Sequence, residues 1–133
     1  STCTDWKNDW PVFTEEHMDD TDGISFYGFM KALSECMRDD DVVVSDAGSA
    51  YYVASQSVHI EKNQRYITSG AQADMGFTLP AAIGVSVARD KGDVIGIVGD
   101  ATCLSEPPKE SFLMMDLSGL VLTLVYLSQI YLR

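Results

Sequence analysis

The run Val94-Ile95-Gly96-Ile97-Val98 constrains this chain more than any other feature. It is short, apolar on both faces and mostly β-branched, with Gly92-Asp93 before it and Gly99-Asp100 after it. An apolar run between turn residues reads as a strand buried on both faces, the kind found in parallel sheets covered by helices. Asp100, just past its carboxyl end, stands where open α/β sheets bind their ligands. Mg²⁺ prefers hard oxygen ligands shared with phosphate, so a carboxylate there is suited to hold a divalent cation beside a phosphate group. The plainer reading is a strand followed by an ordinary Gly-Asp turn.

The rest of the chain supplies the partners such a strand needs. Apolar residues at Ile24, Phe26, Tyr27, Met30, Leu33, Cys36 and Met37 fall three and four apart and predict an amphipathic helix over residues 24–38. Val42-Val43-Val44 reads as a second buried strand, ending in Ser45-Asp46-Ala47-Gly48-Ser49. A helix can start near Ser49, and Arg65-Tyr66-Ile67-Thr68 suits a short strand. A loop of small residues, 69–76, leads into a segment that is apolar nearly all round, which predicts a buried helix over 76–89 with Pro80 in its first turn. Strands alternating with helices predict an α/β fold with a parallel sheet. Three strand ends, at Asp46, Ser69 and Asp100, then share one edge, where a phosphorylated ligand would sit.

Composition narrows the partners. The net charge of −11 argues against nucleic acid. The clusters at Asp19, Asp20 and Asp22 and at Asp39-Asp40-Asp41 read as solvated acidic surface. Cys3, Cys36 and Cys103 form no CxxC pair, which points away from a zinc site or disulfide framework and towards a reducing, cytoplasmic setting. The apolar run at 117–132 has 16 residues, short of the roughly 20 that a membrane helix needs, and reads as a buried strand with its flanks. Residues 1–23 form a leading segment whose Trp6, Trp10, Pro11 and Phe13 show no period and are expected to anchor it on the domain. His17 and His59 read as surface histidines without a role. The chain opens on Ser1 rather than Met and carries no signal-peptide pattern, so we expect a processed product or part of a longer protein.

Three segments together resemble one family. They are Val42-Val43-Val44-Ser45-Asp46-Ala47-Gly48-Ser49, then Thr68-Ser69-Gly70-Ala71-Gln72-Ala73-Asp74-Met75-Gly76-Phe77-Thr78-Leu79-Pro80-Ala81-Ala82-Ile83-Gly84, then residues 94–100. The chain is similar here to the diphosphate-binding C-terminal domain of thiamine diphosphate-dependent enzymes of the acetolactate synthase type. The resemblance implies a three-layer α/β/α parallel-sheet domain over residues 24–133, incomplete at its C-terminus. It implies thiamine diphosphate held through Mg²⁺, with the cofactor serving as an electron sink for 2-keto acid chemistry. By position, Gly48 and Ser49 approach the diphosphate, and Ala73 offers a backbone carbonyl to the aminopyrimidine. Met75 wedges the cofactor into a bent shape. Gly99, Asp100, Ala101 and Thr102 open the metal motif, and Asp100 is the Mg²⁺ ligand. Taken singly, Met75 suits a core, Gly48 a turn, Ser49 a helix cap and Asp46 a turn that bonds its own backbone.

The chain departs from the pattern after Asp100. Ala101 stands where the family has Gly, and no Asn follows Asn63. Leu127 and Ser128 follow the apolar run 120–126 where asparagines are expected, which leaves Ser128 as the second metal ligand, a poorer oxygen donor than an amide carbonyl. The resemblance implies no catalytic residue in this chain, since the activating glutamate sits on a separate pyrimidine-binding domain of the same or a partner subunit. It further implies a homo-oligomeric lyase or transferase that decarboxylates or ligates 2-keto acids when intact, with this chain alone not competent. The alternative is a non-catalytic cofactor-binding or assembly module of the same fold with a degraded metal motif. A nicotinamide-binding domain is disfavoured, because no G-x-G-x-x-G follows any strand.

Overall fold

The computed structural model describes residues 2–18 and 25–99 together with the backbone of a strand at Leu122–Tyr126. In chain order the elements are α1 (Thr2–Asp9), a 3-10 turn (Glu15–Met18), α2 (Phe26–Cys36), β1 (Val42–Ser45), α3 (Ser49–Ser57), β2 (Arg65–Thr68), α4 (Thr78–Ala88), β3 (Val94–Val98) and β4 (Leu122–Tyr126). The strands form one sheet in the order β2-β1-β3-β4. Every pairing is parallel, with Val43 opposite Tyr66 on one side and Ile95 on the other, and Ile95 opposite Thr123. The two β-branched runs are thus the inner strands, as the sequence predicts.

Period-two alternation divides the core into two layers. Val43 and Ile97 join Phe26 and Met30 of α2 and Ala50, Val53 and Ala54 of α3 on one face. Val42, Val44 and Val94 pack with Ala82 of α4 on the other, flanked by Ile67, Ala81 and Val85. Helices on both faces of a parallel sheet make the three-layer α/β/α arrangement. The hydroxyls of Ser45 and Tyr66 meet at 2.5 Å and tie β1 to β2. Burial pushes the Tyr66 phenol up from its ordinary pKa.

Three expectations need correction. Helix α4 is not buried all round: Thr78, Ala82 and Ser86 form one buried stripe, while Val87 is 65% exposed. A single sheet covers only one side of a helix. The tryptophans do not anchor the leading segment. Trp6 and Trp10 are exposed and α1 buries nothing. The contact is made by His17, whose ring stacks on Tyr27 at 4.4 Å and whose Nδ1 accepts a hydrogen bond from the Thr14 amide. Gly28 permits the approach, since a Cβ there would lie 2.8 Å from the His17 carbonyl oxygen.

The third correction concerns Asp39-Asp40-Asp41, which is not a uniformly solvated patch. Asp41 is 4% exposed and accepts two side-chain hydrogen bonds from Arg38, at 3.0 and 2.8 Å, plus one from the Arg38 amide. Arg38 also donates to Asp93, and Arg89 donates to the Asp40 carboxylate and to the Asp40 and Asp93 carbonyls. Two arginines therefore tie together the amino ends of β1 and β3. Arg38 and Arg89 lie just past the ends of α2 and α4, and each pairs with acidic residues that precede a strand.

Among the described residues no helix is long and apolar enough to cross a membrane.

Burial disfavours the charged form of Asp41, but the hydrogen bonds and positive charge of Arg38 outweigh it and hold the carboxyl below its ordinary value of 3.8. A depressed folded pKa gives stability that is present above the unfolded value and lost as the pH falls through the folded one. We therefore expect Asp41→Asn to melt below the wild type above about pH 4, with the gap closing under more acid conditions. Thermal melts across that range check this, and a pH-independent gap would contradict it.

Candidate functional site

Strand order makes β1 and β3 the point where the chain reverses direction across the sheet. The segment β1-α3-β2 runs to one side, and the return through α4 to β3 runs to the other. Open α/β sheets bind ligands in the crevice outside the carboxyl ends of strands at such a point. Two helix N-termini meet that edge here, those of α3 and α4, and they differ in electrostatic state.

The α4 end is already occupied by an internal carboxylate. Asp46 follows β1, its amide donates to the Ile97 carbonyl at 3.1 Å, and its Oδ1 accepts from the Phe77 amide at 3.1 Å. A carboxylate on the first amides of a helix satisfies an orphan donor and opposes the helix dipole. Thr78 Oγ1 donates to the same Ile97 carbonyl at 3.4 Å, so the start of α4 is fixed to both inner strands. The other oxygen, Oδ2, is buried in a residue 2% exposed and has no hydrogen-bond partner among the described residues. An unsatisfied buried acceptor costs about 1–3 kcal/mol.

The α3 end is open. Gly48 has φ 64° and ψ −138°, a conformation restricted to glycine, and among the described residues no side-chain hydrogen bond caps the helix. The Ser49 hydroxyl is therefore not a cap, and Gly48 is more than a plain turn residue. The Gly48 carbonyl accepts from the Tyr51 and Tyr52 amides at 3.0 Å, which closes the first turn. An uncapped helix N-terminus behind a glycine is suited to bind an anion, phosphate above all.

The loop between β2 and α4 is cinched on itself. The Ala73 amide donates to the Ser69 carbonyl at 2.7 Å, and Ser69 Oγ donates to Asp74 Oδ2 at 2.6 Å. Ala73 is held at φ 51°, the left-handed region that side chains disfavour. Gly76 at φ 87° then turns the chain into α4. Met75, between them, is 67% exposed rather than buried in a core. Tyr51 of α3 reaches the loop through the Gly70 carbonyl at 3.5 Å.

Of the residues singled out from the sequence, Gly48, Ser49, Ala73, Met75 and Gly99 all follow or flank the carboxyl ends of parallel strands. Asp100, Ala101, Thr102 and Ser128 lie outside the described residues. Among the described residues no group of three or more His, Cys, Asp or Glu could hold a metal ion. Sequence reasoning placed Asp46 at this edge only as a strand-end or turn residue, and missed its bond to Phe77 across 31 positions. It missed the Ser69–Asp74 clasp too, since a spacing of five carries no motif. The open α3 terminus and the glycine-only backbone beside it are suited to an anionic group.

Comparison with known proteins agrees. Residues 46–126 match the family described as "Thiamine pyrophosphate enzyme, C-terminal TPP binding domain". The chain belongs to this family of thiamine pyrophosphate-dependent enzymes and is acetolactate synthase-like. It is 31% identical over 83 residues to acetolactate synthase isozyme 1 large subunit of Escherichia coli, covering 62% of this chain and 15% of that protein. Isozyme 2 of the same organism is 34% identical over 102 residues, covering 74% and 19%. The mitochondrial acetolactate synthase catalytic subunit of Saccharomyces cerevisiae is also 34% identical over 102 residues, covering 73% and 14%. The chain spans less than a fifth of the length of each of these relatives.

Backbone geometry gives a direct check. Gly48→Ala meets no steric obstacle to its Cβ, so its cost is that of the glycine-only conformation, about 1–3 kcal/mol of stability. Ala73→Gly should instead be neutral or stabilise by up to about 1 kcal/mol, relieving the left-handed φ. Denaturant titration of both variants checks this, and a neutral Gly48→Ala would contradict it.

Proposed function

We propose that this chain supplies the diphosphate-binding half of the active site in a thiamine diphosphate- and Mg²⁺-dependent enzyme acting on 2-keto acids. The reaction is decarboxylation with carboligation, in the manner of acetolactate synthase, which makes the intact enzyme a lyase or transferase. The observation that carries this reading is the uncapped α3 terminus behind Gly48, at the strand ends beside the cinched loop of Ala73 and Met75, in a chain of this family.

Each residue has a role in the proposal. The first amides of α3, at Ser49 and after, bind the diphosphate, and Gly48 keeps the backbone free to approach it. The Ala73 carbonyl, presented by the left-handed turn, accepts a hydrogen bond from the aminopyrimidine. Met75 supports the cofactor's bend by contact. Gly99, Ala101 and Thr102 flank the diphosphate. Asp100 supplies the carboxylate to Mg²⁺ and Ser128 a weaker second oxygen. When bound, the cofactor would supply an electron sink for the bonding pair left on the keto carbon as the carboxylate departs as CO2. The activating glutamate comes from a pyrimidine-binding domain of the same or a partner subunit in a homo-oligomer. The reducing, cytoplasmic setting rests on the absence of a CxxC pair among three cysteines.

A second reading, a non-catalytic cofactor-binding or assembly module, draws on Ala101 and Ser128, which weaken the metal motif. Calorimetric titration with thiamine diphosphate and Mg²⁺ separates the two. We expect Mg²⁺-dependent binding that Asp100→Ala abolishes and that Ala101→Gly with Ser128→Asn tightens. Asp93→Ala should do little to binding, since Asp93 sits at the amino edge against Arg38. Equal affinity of wild type and Asp100→Ala would move the assembly reading ahead. The purified chain alone should turn over no pyruvate, and measurable acetolactate or acetaldehyde would refute that part of the proposal.

A further inference from the structure

We infer that Asp46 is a positioning residue whose carboxylate is kept for ligand binding at the expense of stability. The inference rests on the cofactor reading above. Asp46 is buried between the ends of β1 and β3 and the start of α4. One oxygen holds the Phe77 amide, two residues after Met75, so it fixes the C-terminal end of the loop that presents Met75 and the Ala73 carbonyl. The Ser69–Asp74 clasp fixes the other end.

Capping one amide does not require a carboxylate. An Asn side chain offers the same acceptor to Phe77 and places an NH₂ group where Oδ2 stands, removing the buried charge. The aspartate instead leaves Oδ2 buried without a donor among the described residues. Buried polar groups in native proteins are paired, and an exception points to a missing water, ion or ligand group. The edge on which this oxygen lies is the one that carries the open α3 terminus. Oδ2 is therefore an acceptor for a water that the bound ligand orders at this edge. Asp46 acts on the site in two ways: through Phe77 it orders the loop, and through Oδ2 it completes the bound state.

Asp46→Asn and Asp46→Ala separate these parts. In the unliganded chain, Asp46→Asn should melt at or above the wild type and keep the Phe77 amide protected from hydrogen exchange. Its affinity for thiamine diphosphate with Mg²⁺ should fall at least about tenfold, the scale of one charge-assisted hydrogen bond. Asp46→Ala should lose Phe77 protection as well as affinity. A lower melting point for Asp46→Asn would mean that Oδ2 is satisfied internally and that Asp46 is merely structural, which overturns the inference. Unchanged affinity in Asp46→Asn would overturn it too, as would unchanged Phe77 protection in Asp46→Ala. If Asp46→Ala does not fold, Asp46→Asn decides the matter alone. No binding by the wild type would instead sink the cofactor reading, and the melting comparison would still show whether Oδ2 lacks a partner.

Discussion

Parallel pairing of β1 with β3 is the constraint on which the rest of this structure depends. It places Ser45 opposite Ile97 and lets the Asp46 amide continue the ladder by one bond to the Ile97 carbonyl. From that point the chain runs to opposite sides of the sheet, and the two helices that follow the switch bring their N-termini to one edge. Everything at the candidate site follows from this arrangement. The open α3 terminus, the capped α4 terminus and the cinched loop are consequences of where two short valine- and isoleucine-rich strands end.

The two edges of the sheet are built for different purposes. At the amino edge Arg38 and Arg89 satisfy Asp40, Asp41 and the carbonyl before β3 in a closed network. Its members are paired and its effect is to fasten strand starts. At the carboxyl edge the backbone is left-handed at Ala73 and restricted to glycine at Gly48, and one buried oxygen of Asp46 has no donor among the described residues. Left-handed non-glycine residues stand at both edges, Ala73 at one and Asp90 and Lys91 at the other, so what distinguishes the carboxyl edge is the glycine-only backbone at Gly48 and the buried Asp46 oxygen.

Much of this was legible in the sequence. Val42–Val44 and Val94–Val98 are β-branched on both faces, and only a sheet covered on both sides accommodates that, so the inner strands and the parallel class could be read directly. Helix α4 was misjudged because an apolar segment does not say how many neighbours it has. Ala81, Ala82 and Val85 pack on one sheet, while Val87 and Ala88 are exposed. Anchoring of the leading segment was expected from its aromatics, but the role of His17 was not, for a related reason: its ring stack on Tyr27 depends on Gly28 opening the way, and no periodicity records that. At the site, the loop motif and Gly48 could be read locally. The Asp46–Phe77 bond could not, because it joins positions brought together only by the crossover.

We expect the carboxyl edge, and not the charged amino edge, to receive thiamine diphosphate. Amide chemical shifts followed by nuclear magnetic resonance during titration of the labelled chain with thiamine diphosphate and Mg²⁺ test this most directly. The account predicts the largest changes at Gly48, Ser49 and Ala50 and at Ala73 to Phe77, with the amides of Arg38, Asp41 and Arg89 left unmoved. Changes centred on Arg38 and Arg89, or none at the start of α3, would contradict it.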